Sequence, residues 1–491
     1  MQFAKIFHWF FPVEKNEWKI VIKFGLLMSC VSANFWLVHN LKDTLIMTAP
    51  KSSAECINYL KIFVFFFTLG FVSFYSYMTR KVMQRGLIQR MLYIFIFIFF
   101  LFATVLLPYS EILQMSPERI AALQEMHPPF KWMFPVIGYW IFSLFYVTAE
   151  MWSMTCYSIL FWQFVNTGIV LEQGKRYYTI FGIFNGFTTV IMGYYMASIS
   201  NNVRAEETDS FKHYLDVMSF GCFLTVLFCI IMLFLYHSIY KHNGALRLKR
   251  EYALFEKDAQ TKPQRLWDSI KTVIQSWYMG LIFLLGLCYN LAHTLVDVTW
   301  KQQVKQLCQT PFAIQELFGN FTQRMGWCIL ICSLFSGNLV RKLGWRFSAF
   351  VTPFFMFVSG TLFFTSISLR GWEFGYFATL MFSVTYGQWH ELIVRTLKHS
   401  IFNVTRELVY VPLDFHQQVQ AKAVADVLGG RVGKLLGATI QAVLLLFVAG
   451  GTQSDIVPYA ITLFWGILVV WVAVVVLLNK RFLNLASYKK M

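Results

Sequence analysis

The chain is poor in charge, and above all in acid. Only 14% of its 491 residues are Asp, Glu, Lys or Arg, and 25 of them are acidic. An ordinary soluble domain carries roughly 25% charged residues. With 57% hydrophobic residues, including 52 Phe and 16 Trp, a soluble chain of this length would expose large sticky patches. A soluble multidomain enzyme is therefore excluded, and so is a disordered chain, which needs low hydrophobicity. The sequence also lacks CxxC pairs among its nine cysteines, so neither a zinc site nor a disulfide framework is expected. Cys328 and Cys332, one turn apart, read as packing residues. No G-x-S-x-G or H-E-x-x-H occurs, and no loop exceeds about 35 residues, too short for an extramembrane domain. Neither an enzyme nor a cofactor is expected.

What is present is a series of long apolar runs. Read at about 20 residues each, they give twelve expected spans, at 20–41, 60–79, 88–107, 132–165, 177–199, 214–240, 277–300, 312–340, 346–369, 373–397, 424–450 and 457–478. The run 132–165 is long enough for one tilted helix or two short ones, and because Pro135 lies near its start and Glu150 in its middle it is read as one long helix. The polar stretch 242–275 divides the spans six and six, giving an N-terminal half (1–241), a basic cytoplasmic linker (242–275) and a C-terminal half (276–491). The expected fold is thus an all-α polytopic membrane protein in two six-helix halves, of major-facilitator type. Asn40–Met47 (NLKDTLIM) echoes Asn290–Asp297 (NLAHTLVD) at matching places in the two halves.

The net charge of +17 raises the question of nucleic acid, but its location answers it. Lys and Arg gather in alternate loops, around Arg80–Arg90, Lys175–Arg176, Lys241–Lys271, Arg341–Arg346 and Lys480–Lys490. This is a topology signal, placing both termini in the cytoplasm, and no nucleic-acid partner is expected. No cleavable signal is expected either, because only about 19 residues precede the first run and they include Glu14 and Glu17.

The charges inside the spans are the functional candidates. Each costs about 2.5–3.5 kcal/mol at the bilayer centre on insertion scales, and survives by pairing or by facing a wet cavity. They are Lys42 and Asp43, Lys61, Glu150, Asp297 and Lys301, His390 and Glu391, and Lys422, Asp426, Arg431 and Lys434. Plainer readings compete with the functional one. Lys42, Asp43 and Lys61 fit headgroup-level residues that snorkel, Asp297 and Lys301 fit a simple i,i+4 pair, and His390–Glu391 fits a kink or a cytoplasmic mouth. GGRVGK (Gly429–Lys434) is one residue short of a phosphate loop and lacks its following Ser/Thr, so nucleotide hydrolysis is rejected. What remains is a cationic helix face suited to phosphate oxygens, and hence an organic anion as substrate.

Three blocks carry a family resemblance: LKDTLIMTAPKSSAECINYLK (Leu41–Lys61), AEMWSMTCYSILFWQFVNTGIVLEQGKRYYTIFG (Ala149–Gly182), and KHSIFNVTRELVYVPLD with AKAVADVLGGRVGKLLGATIQ (Lys398–Asp414 and Ala421–Gln441). They resemble the non-mitochondrial ATP/ADP translocases, the nucleotide transporters of obligate intracellular bacteria and plastids, in the same order from about residue 10 to 480. The resemblance implies a twelve-span carrier in the inner membrane of an intracellular bacterium, acting as a monomer and exchanging ATP for ADP. Its charged positions fall on Lys61, Glu150, Asp297 and Lys434, with Lys42 and Arg431 added as phosphate ligands and Asp43, Lys301 and Glu150 as coupling or gating groups. Asp297 stands where the family usually has Glu, Lys51 where Gly is common, and Arg431 is an extra cation. These departures leave open proton-coupled import of nucleoside triphosphates, or of another nucleotide such as NAD. A generic facilitator for a non-nucleotide solute is the reading from another class.

Overall fold

A computed structural model describes residues 13–14, 17–82, 84–168, 171–205, 211–242, 271, 275–369, 376–410, 413, 429–448 and 451–488. Among these the chain is helical with no strand. The N-terminal half holds α1 (Trp18–Thr48), α2 (Cys56–Lys81), α3 (Gln84–Leu101), α4 (Ser110–Leu113), α5 (Pro117–Met126), α6 (Met133–Gly138), α7 (Trp140–Trp152), α8 (Phe161–Gly168), α9 (Leu171–Ala205) and α10 (Phe211–His242). The C-terminal half holds α11 (Trp277–Leu307), α12 (Pro311–Ser368), α13 (Tyr376–Leu397), α14 (Asn403–Tyr410), α15 (Gly429–Phe447) and α16 (Val457–Tyr488). Nearly all of the proposed linker 242–275, together with Lys422 and Asp426, lies outside the described residues.

Among the described residues nine helices are long and apolar enough to span a bilayer. The expected runs 132–165, 312–340 and 373–397 are helical but fall outside that group. The first corrects the single-helix reading. The chain breaks at Tyr139, whose φ of −94° and ψ of 54° leave the helical region, then turns π-helical over Ser153–Leu160 immediately after the turn bearing Glu150. The third carries His390 and Glu391 within the helix and Arg395 in its last turn, which lowers its hydropathy. The runs 312–340 and 346–369 are two helices that meet at a kink at Gly344, whose φ of 75° suits glycine alone. Lys51, in the turn between α1 and α2, is the one non-glycine residue with positive φ among those described, at 58°.

The halves meet along two seams. On one, α9 and α12 touch backbone to backbone, so that a Cβ at Gly193 would lie 2.3 Å from the Gln323 nitrogen. The other, between α2 and α15, borders the chamber. Within the C-terminal half α15 is drawn tightly onto α11, where a Cβ at Gly433 would meet the Leu287 carbonyl oxygen at 2.7 Å. That approach is what the glycines among Gly429–Gly437 permit, and it sets Arg431 and Lys434 on the chamber side. Outward-facing Phe66, Phe97, Phe234 and Val469 are exposed, giving an apolar exterior suited to lipid.

Candidate functional site

A cavity of about 860 Å³ lies between the halves. Its floor and walls come from α1, α2, α7 and α9 on one side and α11, α12, α13 and α15 on the other. A smaller lobe of about 290 Å³ shares Lys61, Tyr146, Glu150 and Lys434 and adds Arg431.

The charges form one continuous network. Arg431 Nη1 reaches Glu150 Oε2 at 3.0 Å, and Lys42 Nζ reaches Glu150 Oε1 at 3.3 Å. Lys42 also holds Asp43 Oδ1 at 2.7 Å, and Asp43 Oδ2 receives Lys301 at 2.9 Å. Lys301 turns to Asp297 at 3.0 Å, where Lys61 (3.0 Å) and Arg395 (3.2 Å) converge on the same carboxylate. Arg395 Nε then binds Glu391 at 2.7 Å, and His293 Nε2 lies 3.1 Å from that same oxygen. Three of these bridges, Arg431–Glu150, Lys301–Asp43 and Lys61–Asp297, join one half to the other.

The eight expected residues are therefore brought to one place: seven in the network, and Lys434 beside it, attracted by Glu150 through space rather than by a direct ion pair. Lys42 and Asp43 are not headgroup residues, because they are 1% and 2% exposed within the protein. Asp297 and Lys301 do form the i,i+4 pair, but each has further partners. Of the His390–Glu391 pair only Glu391 joins the network, while His390 Nδ1 is hydrogen-bonded with Ser359 Oγ at 2.8 Å. Arg395 and Lys398, missed in the sequence reading, also line the chamber. Arg395 follows Glu391 by one turn. Lys398 begins a further π-helical segment, Lys398–Phe402, and sits 5.0 Å from the centre of the Tyr289 ring. Such π segments are frequent at functional sites because the widened turn redirects a side chain.

Among the described residues the chamber gathers seven cations (Lys42, Lys61, Lys301, Arg395, Lys398, Arg431 and Lys434) against four carboxylates (Asp43, Glu150, Asp297 and Glu391). In a low-dielectric cavity that surplus favours a multiply charged anion, since charge–charge terms grow as the dielectric falls. Removing one partner from a buried pair leaves an uncompensated charge costing about 3–5 kcal/mol. An entering anion avoids that cost by supplying new partners as it displaces old ones. No cluster of metal-ligating side chains occurs among the described residues.

The family profile described as TLC ATP/ADP transporter matches residues 1–482. Among similar proteins, ADP,ATP carrier protein 1 of Chlamydia muridarum is 31% identical over 99% of this chain and 93% of its own length. ADP,ATP carrier protein 3 of Rickettsia bellii is 28% identical over 99% of both. Among solved structures, a bacterial homologue of the iron transporter ferroportin matches in its inward-facing state with a TM-score of 0.55 and 14% identity, over 97% of this chain and 100% of that one. Its outward-facing state matches with a TM-score of 0.51 and 15% identity, over 95% and 99%. At such identities the structural likeness concerns the fold alone.

Proposed function

The chain belongs to the TLC ATP/ADP transporter family, and on that premise we propose that it exchanges ATP for ADP across the inner membrane by alternating access. The observation that carries this reading is the cationic surplus held between the two halves. Lys61 and Lys434, with Lys42 and Arg431, take the phosphates, Lys as point charges and Arg as a fork. Glu150 and Asp297 hold those cations when no nucleotide is present.

This arrangement favours exchange over one-way release. Three bridges join the halves, so reorientation must separate buried ion pairs unless a substrate competes for them. A nucleotide offers its phosphates to the same cations and frees the halves to rock about the chamber, as in other two-halved carriers. The division into 1–241, 242–275 and 276–491, a monomeric carrier and cytoplasmic termini belong to the same proposal. Asp43 and Lys301 act in it as the coupling bridge.

The test is uptake of labelled ATP into proteoliposomes, with and without ADP inside and with and without a protonophore. Exchange predicts uptake only when ADP is inside, insensitive to the protonophore. Loss of uptake on adding protonophore would mean proton symport instead. A charge-assisted hydrogen bond is worth about 1.5–3 kcal/mol, so Lys434→Ala is expected to lower uptake at sub-saturating ATP roughly 10- to 100-fold. Uptake by Lys434→Ala at the wild-type rate would overturn the assignment of that lysine.

A further inference from the structure

One acid at the seam between the halves stands outside the charge network. Glu55, in the turn that opens α2, is 1% exposed. Its side chain does not cap its own helix. It crosses instead to the other half, where Oε1 accepts the Gln453 backbone N–H at 2.9 Å. Oε2 is buried without a hydrogen-bond partner. Nearby, Asn58 meets the Gln453 side chain at 3.5 Å, and Trp132 Nε1 donates to the Gly451 carbonyl at 3.0 Å. Glu55 is therefore sealed in where the α1–α2 turn, the Trp132 segment and the α15–α16 loop come together, at the end of the bundle remote from the termini.

Among the described residues, its charged and titratable neighbours are turned mostly elsewhere. Lys131 draws on the carboxyl through space, with its ammonium over the Trp132 ring, 4.5 Å from the centroid. Asp455, on the Gln453 loop, accepts from the Thr452 N–H at 2.6 Å and from its hydroxyl at 2.9 Å. The Cys56 thiol takes the Ser52 hydroxyl at 3.3 Å. From α11 the same loop meets the amides of Gln302 and Gln303 at Ser454. Lys131 and the start of α2 favour the ionised form. Burial opposes them and prevails, because a carboxylate with one neutral hydrogen bond recovers little of its lost hydration. The carboxyl is held above the usual carboxylate range by that burial. As the neutral acid it still accepts the Gln453 N–H, and the Ser53 side chain lies beside it.

We propose that Glu55 is a proton-binding site in the outer gate: it takes up a proton as the halves close over it and returns it as they part, so that acid on that side favours closure. The proposal rests on alternating access with cytoplasmic termini, and not on which solute is carried. With the gate open the carboxyl is hydrated and titrates near its ordinary value, about 4.3. With the gate closed it titrates higher. Between the two values the closed form binds more protons. Its advantage is complete below the open-gate value and is lost as pH rises through the closed-gate value. One proton changes the ratio of closed to open by up to about tenfold per pH unit in that window. Uptake and release happen on the same side of the membrane, so no proton crosses it, and exchange stays insensitive to a protonophore.

Two measurements on the full-length protein test this. The infrared difference spectrum between wild type and Glu55→Gln, taken at neutral pH without nucleotide, is expected to show the carbonyl stretch of one protonated carboxyl. Gln keeps an acceptor for the Gln453 N–H, so the fold should survive. Glu55→Asp, a second variant that retains the acid, should shift the band rather than remove it. In ADP-loaded proteoliposomes, wild-type ATP uptake should exceed that of Glu55→Gln about 3- to 10-fold at an external pH of about 8, and equal it at about 5. Taking the ratio cancels the effect of pH on ATP itself. A difference spectrum without the protonated band, or an uptake ratio that is the same at both pH values, overturns the gate site. The infrared measurement uses no nucleotide, so the two readings fail separately. A wild type that takes up no ATP would overturn the exchange reading alone, and the band would still decide the proton site.

Discussion

The two halves are joined in two chemically different ways. In the chamber they meet through ions: Arg431–Glu150, Lys301–Asp43 and Lys61–Asp297. Toward the end of the bundle remote from the termini they meet through a clasp built mainly of amides. The Gln453 backbone N–H donates to Glu55 Oε1 at 2.9 Å, Asn58 Nδ2 to Gln453 Oε1 at 3.5 Å, and Trp132 Nε1 to the Gly451 carbonyl at 3.0 Å. Behind it Gln453 Nε2 donates to Gln441 and Thr299, and Gln303 and Gln302 share Ser454. A polyphosphate competes for the ionic contacts because it carries the same charge as the carboxylates. It has no such leverage on the amides. On the proposed function the first join is a lock that substrate exchanges, and the second a latch that yields only to movement of the halves.

The sharpest way to break this comparison is to remove charge from the chamber. Asp297→Asn strips the carboxylate on which Lys61, Lys301 and Arg395 converge, leaving buried cations short of a partner. A loss of about 3–5 kcal/mol in stability is expected, read as a large drop in the thermal unfolding midpoint of the purified protein, with uptake abolished. Asp297→Glu keeps the charge and should recover much of both. If Asp297→Asn unfolded at the wild-type midpoint, the network would not be holding the halves together.

The latch should give a smaller effect of another kind. Gln453→Ala leaves the backbone bond to Glu55 but deletes the side-chain contacts to Asn58, Thr299 and Gln441. Neutral hydrogen bonds contribute about 0.5–1.5 kcal/mol each, so the unfolding midpoint should fall by less than for Asp297→Asn. Nucleotide affinity should hold, while a cysteine placed at Ser454 should react faster with a membrane-impermeant maleimide. Unchanged maleimide reactivity would mean that the amide contacts are not what closes this end.

How far the sequence reveals these two joins follows from what each costs. A charge in an apolar helix is conspicuous because lipid penalises it, so Lys42, Glu150, Asp297 and Lys434 stand out in the sequence. Their partners stand out less. Arg395 and Lys398 lie at the end of the apolar run 373–397 and just past it, and depth in the protein, rather than hydropathy, decides their role. The amides of Gln441 and Gln453 carry little hydropathy penalty, so the latch is invisible before folding. Tyr157 is hidden among the chain's 23 tyrosines and reaches the chamber through a π-helical turn that no apolar period foretells. The all-α class is legible from the runs alone. The helix boundaries are less so, because Tyr139 and Gly344 leave helical geometry and the π segment widens a turn, and no apolar run marks any of these.

The smallest expected effect lies at the turn that leads into the latch. Lys51 holds a φ of 58°, which costs a side-chain-bearing residue roughly 1–2 kcal/mol, and its carbonyl accepts a hydrogen bond from Gln124 Nε2 at 3.0 Å. Lys51→Gly removes that strain, keeps the carbonyl, and loosens the unfolded chain, an opposing change of about 0.5–1 kcal/mol. The net expectation is a gain of about 0–1.5 kcal/mol, seen as a slight rise in unfolding midpoint. Because Lys51 is exposed and remote from the charge network, tripolyphosphate and ATP affinities should both stay put. A shift in either as large as that from Asp297→Asn would show that the turn, the latch and the chamber move as one unit, and the division between an exchangeable lock and a mechanical latch would fail.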